Sequence, residues 1–264
     1  MKKKSKVLAA AIALMTLSTA ASITGTVAWF SANQIVTAQG MSVNAQAEEG
    51  IVISNATSGP YNVSANAADA TVKALKPAST WNCADWYHSV STDPSLANTT
   101  QQYTEITSGI ASEHYVKHDF YIRSSAASVL TVASLNVQQV TASVNGSGEL
   151  QELSKSLRVG VVFDADTAKT AYLYAPITGY TASYSVHQSS DATTAHTKAV
   201  TPLAGTTVSQ CSGVTTIPNN VTVGTKASVF IWFEGEDAAC KSDNIVASLQ
   251  QLDVTVSFSY TANA

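Results

Sequence analysis

Residues 226–234 read Lys-Ala-Ser-Val-Phe-Ile-Trp-Phe-Glu, and this stretch decides the fold. Every second residue puts a small or apolar side chain on one face: Ala227, Val229, Ile231 and Phe233. A two-residue period with β-branched and aromatic side chains is typical of a β-strand. The C-terminal stretch repeats the pattern, with one face made of Leu252, Val254, Val256, Phe258 and Tyr260. The sequence therefore predicts strands that bury one face in a core.

The same alternation predicts strands over most of the chain. It is found in residues 35–43, 51–53, 115–123, 128–140 and 157–163. Helical patterns are few, and the clearest is one or two turns within residues 147–153. The strands do not alternate with long helices, which argues against a parallel α/β sheet. We expect an all-β fold, a sandwich or a jelly roll, over residues 29–264.

Two polar segments interrupt the strand pattern, residues 77–112 and residues 177–220. Segments this long in a compact domain are usually functional or mobile, so we interpret both as inserted loops. Trp81 and Trp86 lie in the first of them. Two interpretations stay open for these rings: they cap one end of the core, or they form a patch that binds a glycan or another surface.

The N-terminus has the three parts of a secretory signal peptide. Lys2, Lys3, Lys4 and Lys6 precede an apolar run over residues 7–17, and Thr26-Val27-Ala28 supplies small residues at the −3 and −1 positions of a cut. We predict that residues 1–28 are a signal peptide that a signal peptidase cuts between Ala28 and Trp29. A cut after Ala20 or Ala21, or an uncleaved anchor, stays open. No second apolar stretch reaches membrane length, so we expect a secreted or cell-surface protein that is not integral to the membrane once cleaved.

The composition of the chain argues against one class of binding partner. The chain of 264 residues has 14 Lys and Arg and 18 Asp and Glu. Residues 1–28 hold four of the basic residues and no acidic ones, so the mature chain keeps 10 basic and 18 acidic residues, a net charge of −8. An acidic chain lacks the basic surface that binds nucleic acid, so we predict no nucleic-acid partner.

The three cysteines are Cys83, Cys211 and Cys240, which allow three pairings. An oxidising compartment favours one disulfide and one free thiol. Cys83 and Cys211 both lie in polar, loop-like stretches, so this pair is the favoured disulfide; no pairing at all is the alternative. No Cys-x-x-Cys or Cys/His spacing typical of a zinc site is found.

The search for catalytic chemistry gives no site. His-Glu-x-x-His, Gly-x-Ser-x-Gly and Walker-type phosphate motifs are missing from the sequence. His114 and His118 would be about 13 Å apart on a strand, at ~3.3 Å per residue, too far for one ion. Residues 234–243 form an acidic segment that we interpret as a solvated turn rather than a calcium loop. We predict no catalytic, metal or cofactor-binding residues and no enzyme activity.

The junction after the apolar run carries a family resemblance. Residues 26–31, Thr-Val-Ala-Trp-Phe-Ser, resemble the Ala-Tyr/Trp-Phe-Ser/Thr junction of the TasA/camelysin group of Gram-positive surface and biofilm-matrix proteins. Other stretches are similar to that group: residues 120–123, 157–159, 229–237 and 256–260. The resemblance covers both ends and the middle strands, but not residues 77–112 and 177–220.

The resemblance implies a jelly-roll-like antiparallel β-sandwich. It also implies polymerisation, because some members of the group complete one subunit's sheet with the N-terminal arm of another. An added strand satisfies backbone hydrogen bonds at an open edge while alternate side chains fill pockets. We predict that residues 29–43 are this arm, which begins at Trp29 and is anchored by Phe30, Ile35, Met41 and Val43. The expected function is a structural subunit of an extracellular fibre or biofilm matrix, a homo-oligomer formed by strand addition.

Two alternatives remain beside the fibre subunit. Camelysin is described as a metalloprotease, so the resemblance also implies a surface metalloprotease. A monomeric cell-surface adhesin that binds through the two long polar segments is the other alternative.

Overall fold

A computed structural model describes residues 36–38, 41–68, 73–89, 103–144, 149–188, 197–240 and 252–263. These residues form nineteen β-strands, a short α-helix, α1 (Glu149–Ser154), and a 3-10 turn (Ala111–Glu113). Most strands belong to two large sheets that face each other. The predicted all-β sandwich is confirmed, and α1 overlaps the stretch for which one or two helical turns are expected.

Sheet I has the strand order β16-β10-β19-β2-β4, and β17 also pairs with β10. Its strands are β2 (Met41–Ala47), β4 (Ser64–Ala68), β10 (Leu130–Val144), β16 (Ser209–Cys211), β17 (Thr216–Ile217) and β19 (Leu252–Ala262). The β2–β19 pair is parallel, which departs from the purely antiparallel sheets predicted. The pair is parallel because β2 lies beside β19 and both strands run in the same direction.

Sheet II has the strand order β15-β12-β11-β18-β9-β3. Its strands are β3 (Ile51–Ser54), β9 (Val116–Ser124), β11 (Leu157–Phe163), β12 (Ala171–Ala175), β15 (Leu203–Ala204) and β18 (Thr225–Phe233). The β12–β15 pair is also parallel. The inward rows of the two sheets form the main core, where the Phe163 and Phe258 rings meet edge to face at 6.0 Å.

The two polar segments are not simple loops. The first contains β6 (Ser79–Thr80), β7 (Trp86–Ser89) and β8 (Tyr103–Glu105) in one small sheet. The second contains β13 (Tyr184–His187) and β14 (Thr197–Val200), which pair, together with β15, β16 and β17. Near the N-terminus, β1 (Val36–Ala38) pairs with β5 (Lys73–Leu75). The prediction of inserted loops is corrected: the described parts of both segments hold strands.

Trp86 and Trp232 show where the first segment packs. Trp232 points away from the main core, on the outer face of sheet II, and its ring meets Trp86 edge to face at 5.1 Å. Tyr184, Val186 and Val200 of the second segment belong to the same second core. Sheet II is therefore buried on both faces, with the main core on one side and the two segments on the other.

The ends of the sandwich are defined by the strand register. We call the end that contains Met41, Val116, Leu157, Phe233 and Leu252 the proximal end. The opposite end is the distal end, which contains Ala47, Ser124, Leu130, Phe163 and Thr225. Strand β5 lies at the proximal end, because Lys76 N–H donates to Glu113 O and Ala78 N–H donates to Phe233 O.

Candidate functional site

The predicted assembly arm has a part inside the subunit and a part outside the described residues. Ala28, Trp29, Phe30 and Ile35 lie outside them. The first described residue, Val36, pairs with Leu75 at the proximal end. The N-terminal segment therefore joins the body of the protein at that end.

Strand β2, which contains the last three residues of the predicted arm, lies in the interior of sheet I. It pairs over seven residues with β19 and over five residues with β4, and Val43 and Ala45 are fully buried. Met41 and Val43 thus pair within the sheet of their own subunit, and their role as anchors in a neighbouring subunit stays a prediction. Their release would break two ladders and expose part of the core. A donor arm that leaves this sheet intact would come from residues before Met41.

The distal end exposes four valines on neighbouring loops. This valine cluster consists of Val63, Val129, Val221 and Val223, with exposed fractions of 70%, 54%, 80% and 55%. The Tyr61 hydroxyl accepts a hydrogen bond from Gly224 N–H at 3.1 Å, and Asn220 Nδ2 donates to Ser125 O at 3.3 Å. These bonds hold the loops together. Four apolar side chains exposed at one end make that end a candidate contact surface.

Strand β4 is the edge strand of sheet I and begins next to Val63. The Val63 carbonyl accepts a hydrogen bond from β2, so the backbone groups of Ser64, Asn66 and Ala68 point away from β2. Asn55 Nδ2 donates to the Asn66 carbonyl at 2.7 Å. An edge with outward N–H and C=O groups is a template for an added strand.

A buried polar cluster lies at the proximal end, on the outer face of sheet II. Glu234 directly follows β18 and is fully buried. Its carboxylate accepts hydrogen bonds from the Ser79 hydroxyl, from Trp232 Nε1 at 3.0 Å and from Glu236 N–H at 3.0 Å. Burial raises the pKa of Glu234 to about 7, although these hydrogen bonds and the charge of Arg158 act in the opposite direction. Since Ser79 belongs to β6, Glu234 joins the first polar segment to sheet II.

An ion pair between Arg158 and Asp237 forms the second part of this cluster. Arg158 Nη2 lies 2.5 Å from Asp237 Oδ2, and both side chains are buried. Arg158 Nη1 also donates to Lys155 O at 2.9 Å, and Thr181 N–H donates to the same Asp237 oxygen at 2.8 Å. Burial, and then the charge of Glu234, raise the pKa of Tyr184, whose ring lies 5.5 Å from the Arg158 guanidinium. The pair thus ties β11 to the turn after β18 and to the second polar segment.

Glu236 and His187 complete the cluster. His187 Nδ1 lies 2.8 Å from Glu236 Oε1, and the Tyr103 ring stacks on the His187 ring at 4.5 Å. Burial raises the pKa of Glu236, and the bond to His187 opposes that shift. Tyr103 comes from the first polar segment and His187 from the second, so this contact joins the two segments.

The buried polar cluster connects sheet II to the two polar segments that cover its outer face. Each of its carboxylates is engaged by a donor from another element, and it corrects the interpretation of residues 234–243 as a solvated turn, because Glu234 and Asp237 are buried. In the part of the chain that the structure describes, no three His, Cys, Asp or Glu side chains are grouped to hold a metal ion. We therefore assign the cluster a role in attaching the two polar segments to sheet II.

The two histidines considered for a metal site have separate surroundings. His114 follows the 3-10 turn, and its ring lies 4.6 Å from the His88 ring. Burial, and then the charge of the nearby His88, lower the pKa of His114 to about 4. His118 lies on β9, opposite Val229 of β18.

The three cysteines are free thiols, and all three are buried. Cys83 packs on the outer face of sheet II, where a Cβ atom added to Gly160 would collide with its sulfur. Cys211 lies in the main core, opposite Leu135 of sheet I. Sheet II therefore stands between the two sulfurs, and the predicted Cys83–Cys211 disulfide is not formed.

Sequence reasoning missed Arg158, Glu234 and Asp237 as buried groups. One signal was available in residues 226–234, because Phe230 and Trp232 alternate with the core-facing row and make the second face apolar too. A strand that is apolar on both faces is covered on both faces. Charged residues at the end of such a strand are then expected to lie under the cover.

Comparison with known proteins identifies no relative: no family model, curated protein or solved structure matches the chain. The resemblance to the TasA/camelysin group thus rests on the short motifs quoted from the sequence. Among the described residues, no helix is long and apolar enough to cross a membrane.

Proposed function

We propose that the protein is a secreted structural subunit that assembles head to tail into an extracellular fibre. The observation that carries the proposal is the position of two candidate contact regions at opposite ends. The N-terminal segment joins the body at the proximal end, through β1, and the valine cluster lies at the distal end. A contact between two different surfaces of identical subunits repeats without closing, which produces a filament.

In this proposal the donor is the segment before β2, and its acceptor is the outer edge of β4 in the next subunit. Trp29, Phe30 and Ile35 supply large apolar side chains that cover the valine cluster. Seven residues, 29–35, span about 23 Å when extended, enough to follow a five-residue strand of about 17 Å. Strand β2 stays in its own sheet, so assembly does not disturb the subunit core.

Two mature chains test the donor, one beginning at Trp29 and one at Val36. We expect the longer chain to form fibres in negative-stain microscopy and the shorter chain to stay monomeric with the same thermal unfolding midpoint. Equal fibre formation by both chains would contradict the proposed donor. Mass spectrometry of the exported protein identifies the first residue of the mature chain. A mature N-terminus after Ile35 would also exclude this donor.

The acceptor end is tested by Val63→Ser combined with Val221→Ser. Removing the two most exposed valines lowers the apolar area available to the donor, so we expect fibre formation to be lost while the monomer stays folded. Val208→Ser is the matched control, because Val208 is 43% exposed and lies next to β16 rather than at the distal end. Normal fibres from the double variant would contradict the proposed acceptor.

A further inference from the structure

The outer face of sheet I is an array of hydroxyl and amide side chains. Strand β2 contributes Ser42, Asn44 and Gln46 to this face, while its core face holds Val43 and Ala45. Strand β19 contributes Thr255, Ser257 and Ser259 in the same way. The six strands of sheet I contain no Lys, Arg or His, and their single acidic residue is Asp253.

The register of the strands arranges these side chains in rows. Asn66, Asn44, Thr255 and Thr141 are successive cross-strand partners on β4, β2, β19 and β10. Neighbouring strands are about 4.8 Å apart, so the row presents a hydrogen-bonding group at each such step. Asp253, the one charge, accepts a hydrogen bond from the Ser42 hydroxyl at 2.5 Å.

A groove of about 320 Å³ opens in this array near the distal end. Its polar lining comes from Gln46, Glu48, Gln138, Ser257 and Ser259. The β10–β19 register shifts between Val137 and Gln139, so Gln138 is the extra residue of a β-bulge. A bulge re-aims a side chain relative to the regular pleat, and bulges are frequent next to binding sites.

Hydrogen bonds hold the side chains beside the groove in place. Ser134 Oγ donates to Asn136 Oδ1 at 2.7 Å, and Asn136 Nδ2 donates to Thr261 Oγ1 at 3.0 Å. Ser259 Oγ donates to Gln138 Oε1 at 2.9 Å, which orients the Gln138 amide with its N–H groups as donors. A side chain fixed before a ligand arrives loses less entropy on binding.

We propose that this groove and the surrounding array bind a neutral polysaccharide. Side-chain hydroxyls and amides both donate and accept hydrogen bonds, as sugar hydroxyls require. An anionic ligand would find no cationic partner on these strands and would be repelled by Asp253 and by Glu48 of the groove lining. An apolar ligand would leave the polar groups unpaired. A neutral, hydroxyl-rich chain matches the surface on both counts.

Native electrophoresis of the full mature chain through gels that contain a soluble glycan tests the proposal. The neutral probes are dextran, a mixed-linkage β-glucan and a galactomannan, and polygalacturonate is the acidic probe. We expect retardation by at least one neutral glycan and none by polygalacturonate. Gln46→Ala and Gln138→Ala should each weaken the apparent affinity about fivefold, the effect of one neutral hydrogen bond.

Gln188→Ala is the matched control, because Gln188 directly follows β13 in the second polar segment, on the far side of sheet II from the array and the groove lining. Its retardation should equal that of the wild type. The proposal is wrong if no neutral glycan retards the protein, or if the Gln46→Ala, Gln138→Ala double variant unfolds normally and keeps wild-type retardation. It is also wrong if analytical ultracentrifugation shows that these two variants change self-association while retardation stays as in the wild type. The proposal is independent of fibre assembly, so Val63→Ser with Val221→Ser should leave retardation unchanged.

Discussion

Glu234 shows how a single buried carboxyl group makes stability depend on pH. Burial holds the pKa of Glu234 at about 7, above the 4.5 of an exposed glutamate. Between these values the folded chain binds more protons than the unfolded chain, so its free energy of unfolding falls as the pH rises from about 5 to about 8. Glu234→Gln cannot ionise, so we expect its free energy of unfolding, relative to wild type, to rise over that range by up to ~3 kcal/mol. Urea titrations at several pH values measure this difference.

Glu113→Gln is the control for this residue. The Glu113 carboxylate is exposed and lies 2.6 Å from Lys76 Nζ, which lowers its pKa, so it titrates below the pH range of the experiment. His114 acts in the opposite direction to Glu234, because its pKa is lowered in the fold. Its contribution to the free energy of unfolding is complete above the ordinary pKa of 6.5 and is lost as the pH falls toward 4. His114 is present in wild type and variant alike and cancels in the difference. A Glu234→Gln profile parallel to wild type would show that Glu234 is not protonated in the fold.

At the scale of elements, the Arg158–Asp237 pair decides how firmly the outer layer is attached. Arg158→Met keeps much of the side-chain volume but leaves the buried Asp237 carboxylate without its cation. We expect a loss of about 3–5 kcal/mol in the free energy of unfolding, as for other buried pairs that lose one partner. Lys155→Met is the control, because Lys155 pairs with Glu152 at the surface, where the expected loss is about 1 kcal/mol or less. Equal losses in the two variants, measured by urea unfolding, would contradict the role of the buried pair.

The elements also show what sequence patterns can predict. Strands β18 and β19 have nine and eleven residues, so their alternation is visible, and the core-facing rows predicted for them are correct. Strands β6 and β7 have two and four residues, too few to show a period. They form because Trp86 packs on Trp232 and stacks on Tyr115 at 4.1 Å, contacts that no local pattern encodes. The hydrogen bond between Ser79 and Glu234, which are 155 residues apart, could not be predicted from the sequence for the same reason.

At the scale of the molecule, the two outer faces of the sandwich differ. The outer face of sheet II packs against the two polar segments and forms a second core with them, while that of sheet I carries the hydroxyl and amide array. The composition anticipates this array, since a chain with only 12% charged residues covers its solvent-facing strands with Ser, Thr, Asn and Gln instead. The position of β2 was not predictable, because an alternating strand near the N-terminus fits a neighbouring subunit as well as its own sheet.

Strand β2 therefore separates two kinds of N-terminal truncation. A chain that begins at Val36 keeps β2, and we expect it to fold with the wild-type far-UV circular dichroism and unfolding midpoint. A chain that begins at Glu48 loses β2, which leaves β4 without its only ladder partner in sheet I and exposes the edge of β19. Because Val43 and Ala45 also leave the core, we expect this chain to be insoluble or to lack a cooperative thermal transition. The chain that begins at Glu48 would contradict this expectation if it gave a cooperative transition at the wild-type midpoint. That result would show that the fold does not need β2, so Met41 and Val43 would be free to pair with a neighbouring subunit.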